Sequence, residues 1–268
     1  MSRRRAVITV LILCLGAMAC SAPSADPAAA PFATPGTTPA ATARAAPFPT
    51  PTGRVLRYVA LGDSLASGLG GEPSYADFLG RGLQRRTGRQ VELTNLGRPG
   101  WTSAQLLEAL RSSQQFRTAV AEADVVSWDI GGNDIITSAL RSASGTCGGA
   151  DGLRCVRVTT QGFTATWAAI VEELLALRKS PTVALLTFDI YTPFIPPQIR
   201  TDALVDQLAT MNETIAAADG QRGVEVAAVA HAFVGASDLI DDDGLHPSRQ
   251  GHRRIAELLL GLSRPPED

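Results

Sequence analysis

From Arg54 onward, short apolar runs and amphipathic helical stripes take turns along the chain, and this alternation limits the fold more than any single motif. Val55 to Leu61, Val91 to Leu96, Asp124 to Ile130, Thr182 to Phe188 and Val224 to Val229 are runs of strand length. Between them lie helical spacings. Tyr75, Phe78, Leu79 and Leu83 form the first, and a Thr102–Gln105 capping box opens the second. Phe163, Trp167, Ile170, Val171, Leu174 and Leu175 form a third stripe, and Leu204, Leu208, Met211 and Ile215 a fourth. A last helix is expected from about Ser248 to Leu260. Strands alternating with helices pair in parallel, because each crossover must return over one face of the sheet. The expectation is therefore one α/β domain over 54–268. It is a three-layer α/β/α sandwich around a parallel sheet of about five strands, with right-handed connections.

A parallel sheet gathers its loops at the carboxyl ends of the strands, where open α/β sheets hold their ligands. Gly62-Asp63-Ser64-Leu65 leaves the first strand, Gly97-Arg98-Pro99-Gly100 the second and Gly131-Gly132-Asn133-Asp134 the third. Asp243-Gly244-Leu245-His246-Pro247 lies between the fifth strand and the last helix, at the same edge. A serine hydroxyl is a poor nucleophile until a base takes its proton, and His246 suits that task. Asp243, three residues earlier in a turn, can accept a hydrogen bond from the other ring nitrogen and so set the tautomer. Each block by itself has a plainer reading: Ser64 as an ordinary strand-to-helix turn, Gly100 as turn chemistry, Asn133 as a turn cap.

Together, and in this order, the four blocks resemble the SGNH, or GDSL, family of serine esterases and lipases, over nearly the whole stretch from Arg54 to the last helix. The resemblance implies a flavodoxin-like fold and a bacterial, exported hydrolase of carboxylic esters that needs no cofactor and no metal. It implies an acyl-enzyme on Ser64, with His246 as base and Asp243 orienting it. The oxyanion donors it implies are the backbone N–H groups of Ser64 and Gly100 and the side-chain amide of Asn133. Glycine at 100 suits close backbone approach. The order Ser, Asp, His is also that of the α/β-hydrolases, but Ala66 stands where the last glycine of their Gly-x-Ser-x-Gly elbow belongs. Substrates across the family include acetyl-xylan and other carbohydrate esters, lysophospholipids, thioesters and simple acyl esters. With only 5% aromatic residues and no long apolar lid, short acyl or carbohydrate esters are favoured here. The rival class is a catalytically silent envelope-binding module using the same cleft, against which the intact Ser64, Asp243 and His246 set argues.

Other candidates have plainer explanations. Asp241 and Asp242 read as solvated loop charges, and His231 and His252 as structural histidines. Trp101, Tyr191, Phe194 and Ile195 suit a pocket wall or ordinary packing equally. Gly68-Leu69-Gly70 hints at dinucleotide binding, but Pro73 occupies the place of the third glycine. No metal-ligand spacing is present.

The amino terminus belongs to a different regime. Arg3, Arg4 and Arg5 precede an apolar stretch from Ala6 to about Ala19, which fits a signal peptide over 1–19. Ala17-Met18-Ala19-Cys20 can be an ordinary cleavage site or a lipoprotein site with lipid on Cys20, although Ala17 replaces the usual leucine. The lipoprotein is preferred because residues 20–53 are an Ala/Pro/Thr-rich stretch unable to bury a core, as expected of a disordered tether. Export makes a Cys147–Cys155 disulfide the expected fate of the two remaining cysteines. A formal net charge of −2 gives no reason to expect nucleic acid or an anionic membrane surface as partner. The expected partner is a small-molecule or glycan ester, met by a monomer that touches a membrane only through lipid on Cys20.

Overall fold

All five apolar runs become strands of one sheet in the computed structural model, which describes residues 53–68, 72–192, 198–220 and 223–263. The expected signal peptide (1–19), Cys20 and the tether (20–53, save Gly53) lie outside the described residues, as do Phe194 and Ile195. In chain order the elements are β1 (Leu56–Gly62), α1 (Ser64–Ser67), α2 (Tyr75–Thr87), β2 (Val91–Asn95), α3 (Ser103–Ser112) and α4 (Gln114–Glu122). β3 (Val125–Asp129), α5 (Gly132–Ala143), α6 (Arg154–Leu177) and β4 (Ala184–Phe188) follow. The chain then forms α7 (Asp202–Ala216), β5 (Val224–Ala227), α8 (Val229–Ala232) and α9 (Arg249–Leu262). Val229, the end of the fifth apolar run, starts α8 instead, because the backbone leaves extended geometry at Ala228 (ψ 67°).

The strand order is β2-β1-β3-β4-β5, every pair parallel. The direction of winding reverses between β1 and β3, and such a switch point opens a crevice at the carboxyl ends of those two strands. Asp63 and Ser64 leave β1 there, and Asp129 ends β3, with Gly62 and Asp129 register partners. Gly62 adopts φ +126°, and a Cβ on it would stand 2.2 Å from the carbonyl oxygen of Asp129. Only glycine meets both demands, so the close approach of β1 to β3 is built into the first motif.

Burial explains the sequence pattern. Every residue of β3 is buried, as expected of a central strand covered on both faces, whereas the edge strand β2 is half-buried or exposed along its length. Tyr75, Leu79 and Leu83 of α2 pack with Ile255 and Leu259 of α9 in the core. On the other side α6 runs 24 residues between α3, α5 and α7. Its Phe163 and Trp167 stack at 5.7 Å, with Trp167 also 5.9 Å from Trp128 of β3.

Cys147 and Cys155 are joined, and both are buried. The bond ties the loop after α5 to the first turn of α6 and closes a loop of eight residue steps. In the chain-entropy view such a loop contributes about 2–3 kcal/mol. Replacing both cysteines by alanine is expected to lower unfolding free energy by about that amount, read from denaturant titration. A loss under about 0.5 kcal/mol would show that the bond constrains nothing the fold does not already hold.

Candidate active site

The nucleophile turn is fixed by its neighbours. Asp63 caps α1, its Oδ1 accepting the Leu65 N–H at 3.1 Å. Asn95, at the end of β2, donates from Nδ2 to the Ala66 carbonyl at 2.6 Å and accepts the Gly97 N–H at 3.0 Å. The second strand thus pins the helix that carries the serine. Ser64 is the first residue of that helix, so its own N–H has no helical acceptor. Its Oγ lies 2.9 Å from His246 Nε2.

The histidine sits on a loop braced from three sides. The Gly244 N–H donates to the Asp241 carbonyl at 2.9 Å, closing a turn, and the Asp241 N–H donates to the His246 carbonyl at 2.9 Å. Tyr191, fully buried, donates its hydroxyl to the Leu245 carbonyl at 2.9 Å. Asp243 Oδ2 meets His246 Nδ1 at 2.5 Å, and its Oδ1 accepts the N–H groups of Leu245 (2.8 Å) and His246 (2.9 Å). Partial burial opposes charge on Asp243, but the hydrogen bonds from the His246 ring and from these two N–H groups outweigh it, holding the carboxyl below its usual range. Asp242 is exposed at the turn, and Asp241 uses its Oδ1 on the Asp242 N–H at 2.8 Å, so neither faces the ring.

Asn133 opens α5 beside this group. Its Nδ2 donates to Asp63 Oδ2 at 3.1 Å and to the Trp101 carbonyl at 3.0 Å, so both amide hydrogens are engaged. Asp134 next to it accepts from Ser103 N (2.9 Å) and Oγ (2.7 Å), joining the starts of α3 and α5. Gly100 lies on the loop between β2 and α3. A Cβ there would meet no protein atom within 4 Å, and its backbone φ of +80° favours glycine. Trp101 is half-buried and stacks on Phe116 at 5.6 Å.

Of the histidines set aside, His231 is exposed on α8. His252 is buried in α9, where Nδ1 accepts the Tyr75 N–H at 3.1 Å, and burial lowers its pKa to about 4. It is a neutral cap on α2. Among the described residues no group of three His, Cys, Asp or Glu could hold a metal ion.

Sequence reasoning missed Asp129 and Tyr75. Both are buried, and the Tyr75 hydroxyl donates to Asp129 Oδ1 at 2.7 Å beneath the nucleophile turn. The signal that could have found them is an acid closing an otherwise uncharged, buried strand, since a buried carboxyl needs partners.

A search of curated proteins finds no match to the chain. Among solved structures, a lipase from a goat rumen metagenome superposes with a TM-score of 0.68 at 20% identity, covering 78% of this chain and 99% of its own. A Clostridium thermocellum family 3 carbohydrate esterase gives 0.53 at 21%, covering 76% and 93%. An acetyl xylan esterase from Geobacillus stearothermophilus gives 0.56 at 18%, covering 77% and 93%. At such identities these likenesses establish the fold. Residues 60–254 match the GDSL-like lipase/acylhydrolase family, most of the chain and all four sequence blocks, and the chain belongs to that family of carboxylic ester hydrolases.

Proposed function

We propose that this ester hydrolase works through an acyl-enzyme on Ser64 and acts outside the cytoplasm on short acyl or carbohydrate esters. The observation that carries the reading is the unbroken chain from Ser64 Oγ to His246 Nε2 (2.9 Å) and from Nδ1 to Asp243 Oδ2 (2.5 Å). His246 takes the serine proton as Oγ attacks the ester carbonyl, and Asp243 stabilises the imidazolium. The same histidine returns the proton to the leaving alcohol, then draws one from the water that releases the acid.

The developing oxyanion falls to the N–H groups of Ser64 and Gly100 and to Asn133. Both Asn133 hydrogens are engaged at rest. The one on the neutral Trp101 carbonyl is the easier to redirect, because the bond to the Asp63 carboxylate is charge-assisted. Asn133→Ala should lower kcat roughly 10²–10³-fold with the melting temperature little changed, as for one oxyanion donor. Melting that falls in step with activity would instead assign the side chain to turn capping.

Hydrolysis rates over 4-nitrophenyl esters of rising chain length, alongside acetylated xylan, test the substrate class. Labelling by a fluorophosphonate, mapped to Ser64, separates an acyl-enzyme from a silent binding module. The sequence of the amino terminus supports export and lipid on Cys20. Intact mass of membrane-extracted protein should show a mature chain starting at a lipidated Cys20. Unmodified protein in the culture medium would leave simple secretion.

A further inference from the structure

Beneath the nucleophile turn lie two carboxyl groups that the hydrolytic steps leave unused. Because Gly62 and Asp129 are register partners, Asp63 and Asp129 stand side by side at the ends of adjacent strands, only 2% and 3% exposed. The Asp63 N–H donates to Asp129 Oδ2 at 3.2 Å, and both side chains line one small cavity, which sets the two carboxyls together. Neither forms a salt bridge with Arg or Lys among the described residues. The small cavity both residues line is about 10 Å³, room for about one water and too small for a hydrated counter-ion. Two carboxyls in contact in such a place cannot both be charged, so one proton must sit between them.

Each carboxyl accepts two hydrogen bonds, so the kind of donor and its setting decide which residue carries the proton. Asp63, at the start of α1, accepts two N–H groups, from Leu65 on Oδ1 and from Asn133 Nδ2 on Oδ2, and these bonds act against the burial that raises its pKa. Asp129 has burial and the adjacent Asp63 against its charge, with the Tyr75 hydroxyl and the Asp63 N–H as its donors. Besides His246, the other titratable groups near the pair are Tyr58 on β1, Asp189 and Tyr191 after β4, and Asp134 on α5. None of these is a cation. We propose that Asp129 is a positioning residue, which keeps its proton, donates it to Asp63 and so holds Asp63 as the carboxylate that aims the Asn133 amide at the oxyanion.

The consequence is geometric. An amide is planar, so clamping one N–H of Asn133 on Asp63 sets the direction of the other. Were Asp63 to hold the proton itself, one of its oxygens would become a donor and compete with Nδ2 for the contact. The proposal rests on the reading of Asn133 as an oxyanion donor. It also has a signature in stability. A buried acid with a raised pKa keeps a proton that the unfolded chain loses above the ordinary value of 3.8, so stability falls as pH climbs beyond it, until Asp129 itself ionises. Asn at 129 imitates the protonated acid and removes that contribution.

The test is a double-mutant cycle on 4-nitrophenyl acetate hydrolysis with Asp129→Ala, Asn133→Ala and both together. Asp129→Ala should lower kcat roughly 10–100-fold with KM within about twofold, because only transition-state contacts are lost. In the Asn133→Ala background the same change should cost less than about threefold. Asp129→Asn should recover most of the loss and flatten the decline of melting temperature above about pH 4. Independent, multiplying losses, or an Asp129→Asn as impaired as Asp129→Ala, would overturn the proposal while leaving the catalytic reading intact. If Asn133→Ala alone leaves kcat unchanged, that reading fails first, and the proposal with it. Should Asp129→Ala not fold, Tyr75→Phe, which removes the hydroxyl on Asp129 Oδ1, takes its place in the cycle, and absence of coupling there also overturns the proposal.

Discussion

Ser64→Ala is expected to lower kcat for any ester substrate by on the order of 10⁶ without unfolding the protein. The serine hydroxyl has one side-chain partner, His246 Nε2 at 2.9 Å, and the turn is held by Asp63 and Asn95, so alanine removes the nucleophile and little else. What remains should be the modest catalysis of an oxyanion site acting on bound substrate with water, about 10³–10⁴ over the uncatalysed rate. His246→Ala should cost about as much, and the double variant scarcely more, because the pair acts as a unit. Steady-state rates with fluorophosphonate labelling check this. A Ser64→Ala protein that keeps a tenth of wild-type kcat, or still labels at the active site, would remove Ser64 from the chemistry.

Asp243→Asn carries the second large effect, a fall in kcat of roughly 10²–10⁴, by analogy with the orienting acid of serine proteases. Both carboxylate oxygens are in use: Oδ2 on the ring nitrogen, Oδ1 on the N–H groups of Leu245 and His246. An asparagine can keep Oδ1, but its amide nitrogen would then face Nδ1 and demand an acceptor there. That favours the tautomer with hydrogen on Nε2, which cannot receive the serine proton. Asp241→Asn and Asp242→Asn should stay within a few-fold of wild type, since exposed loop charges are largely screened. Kinetics on the three variants, with folding followed by circular dichroism, decide the matter. Inactivity of Asp242→Asn with normal Asp243→Asn would refute the assignment.

The strand-and-helix alternation, the four blocks and the pairing of Asp243 with His246 are all legible along the chain, because each depends on local rules. A buried parallel strand must be apolar throughout, a left-handed turn calls for glycine, and an acid three residues before a histidine can reach its ring within one turn. The edge strand β2 and the early start of α8 at Val229 depart from that reading only by a residue or two.

Other features were open until the strands were set in order. Tyr191 suits a pocket wall or ordinary packing equally in sequence; in the fold it is buried and braces Leu245, 54 residues away. Asn133 is an expected oxyanion donor whose resting partners, Asp63 and Trp101, lie 70 and 32 residues off. The contact of Asp63 with Asp129 exists because β1 lies beside β3 in one register, with Gly62 opposite Asp129. The sequence by itself determined the fold class and the placing of Ser64, Asp243 and His246 at one edge of the sheet, since these follow from spacing and composition within a few residues. Which buried acid keeps a proton, and what holds the oxyanion amide, were decided only by tertiary structure. Both depend on which strand ends share a buried crevice, and desolvation and hydrogen bonding act there between groups far apart in the chain.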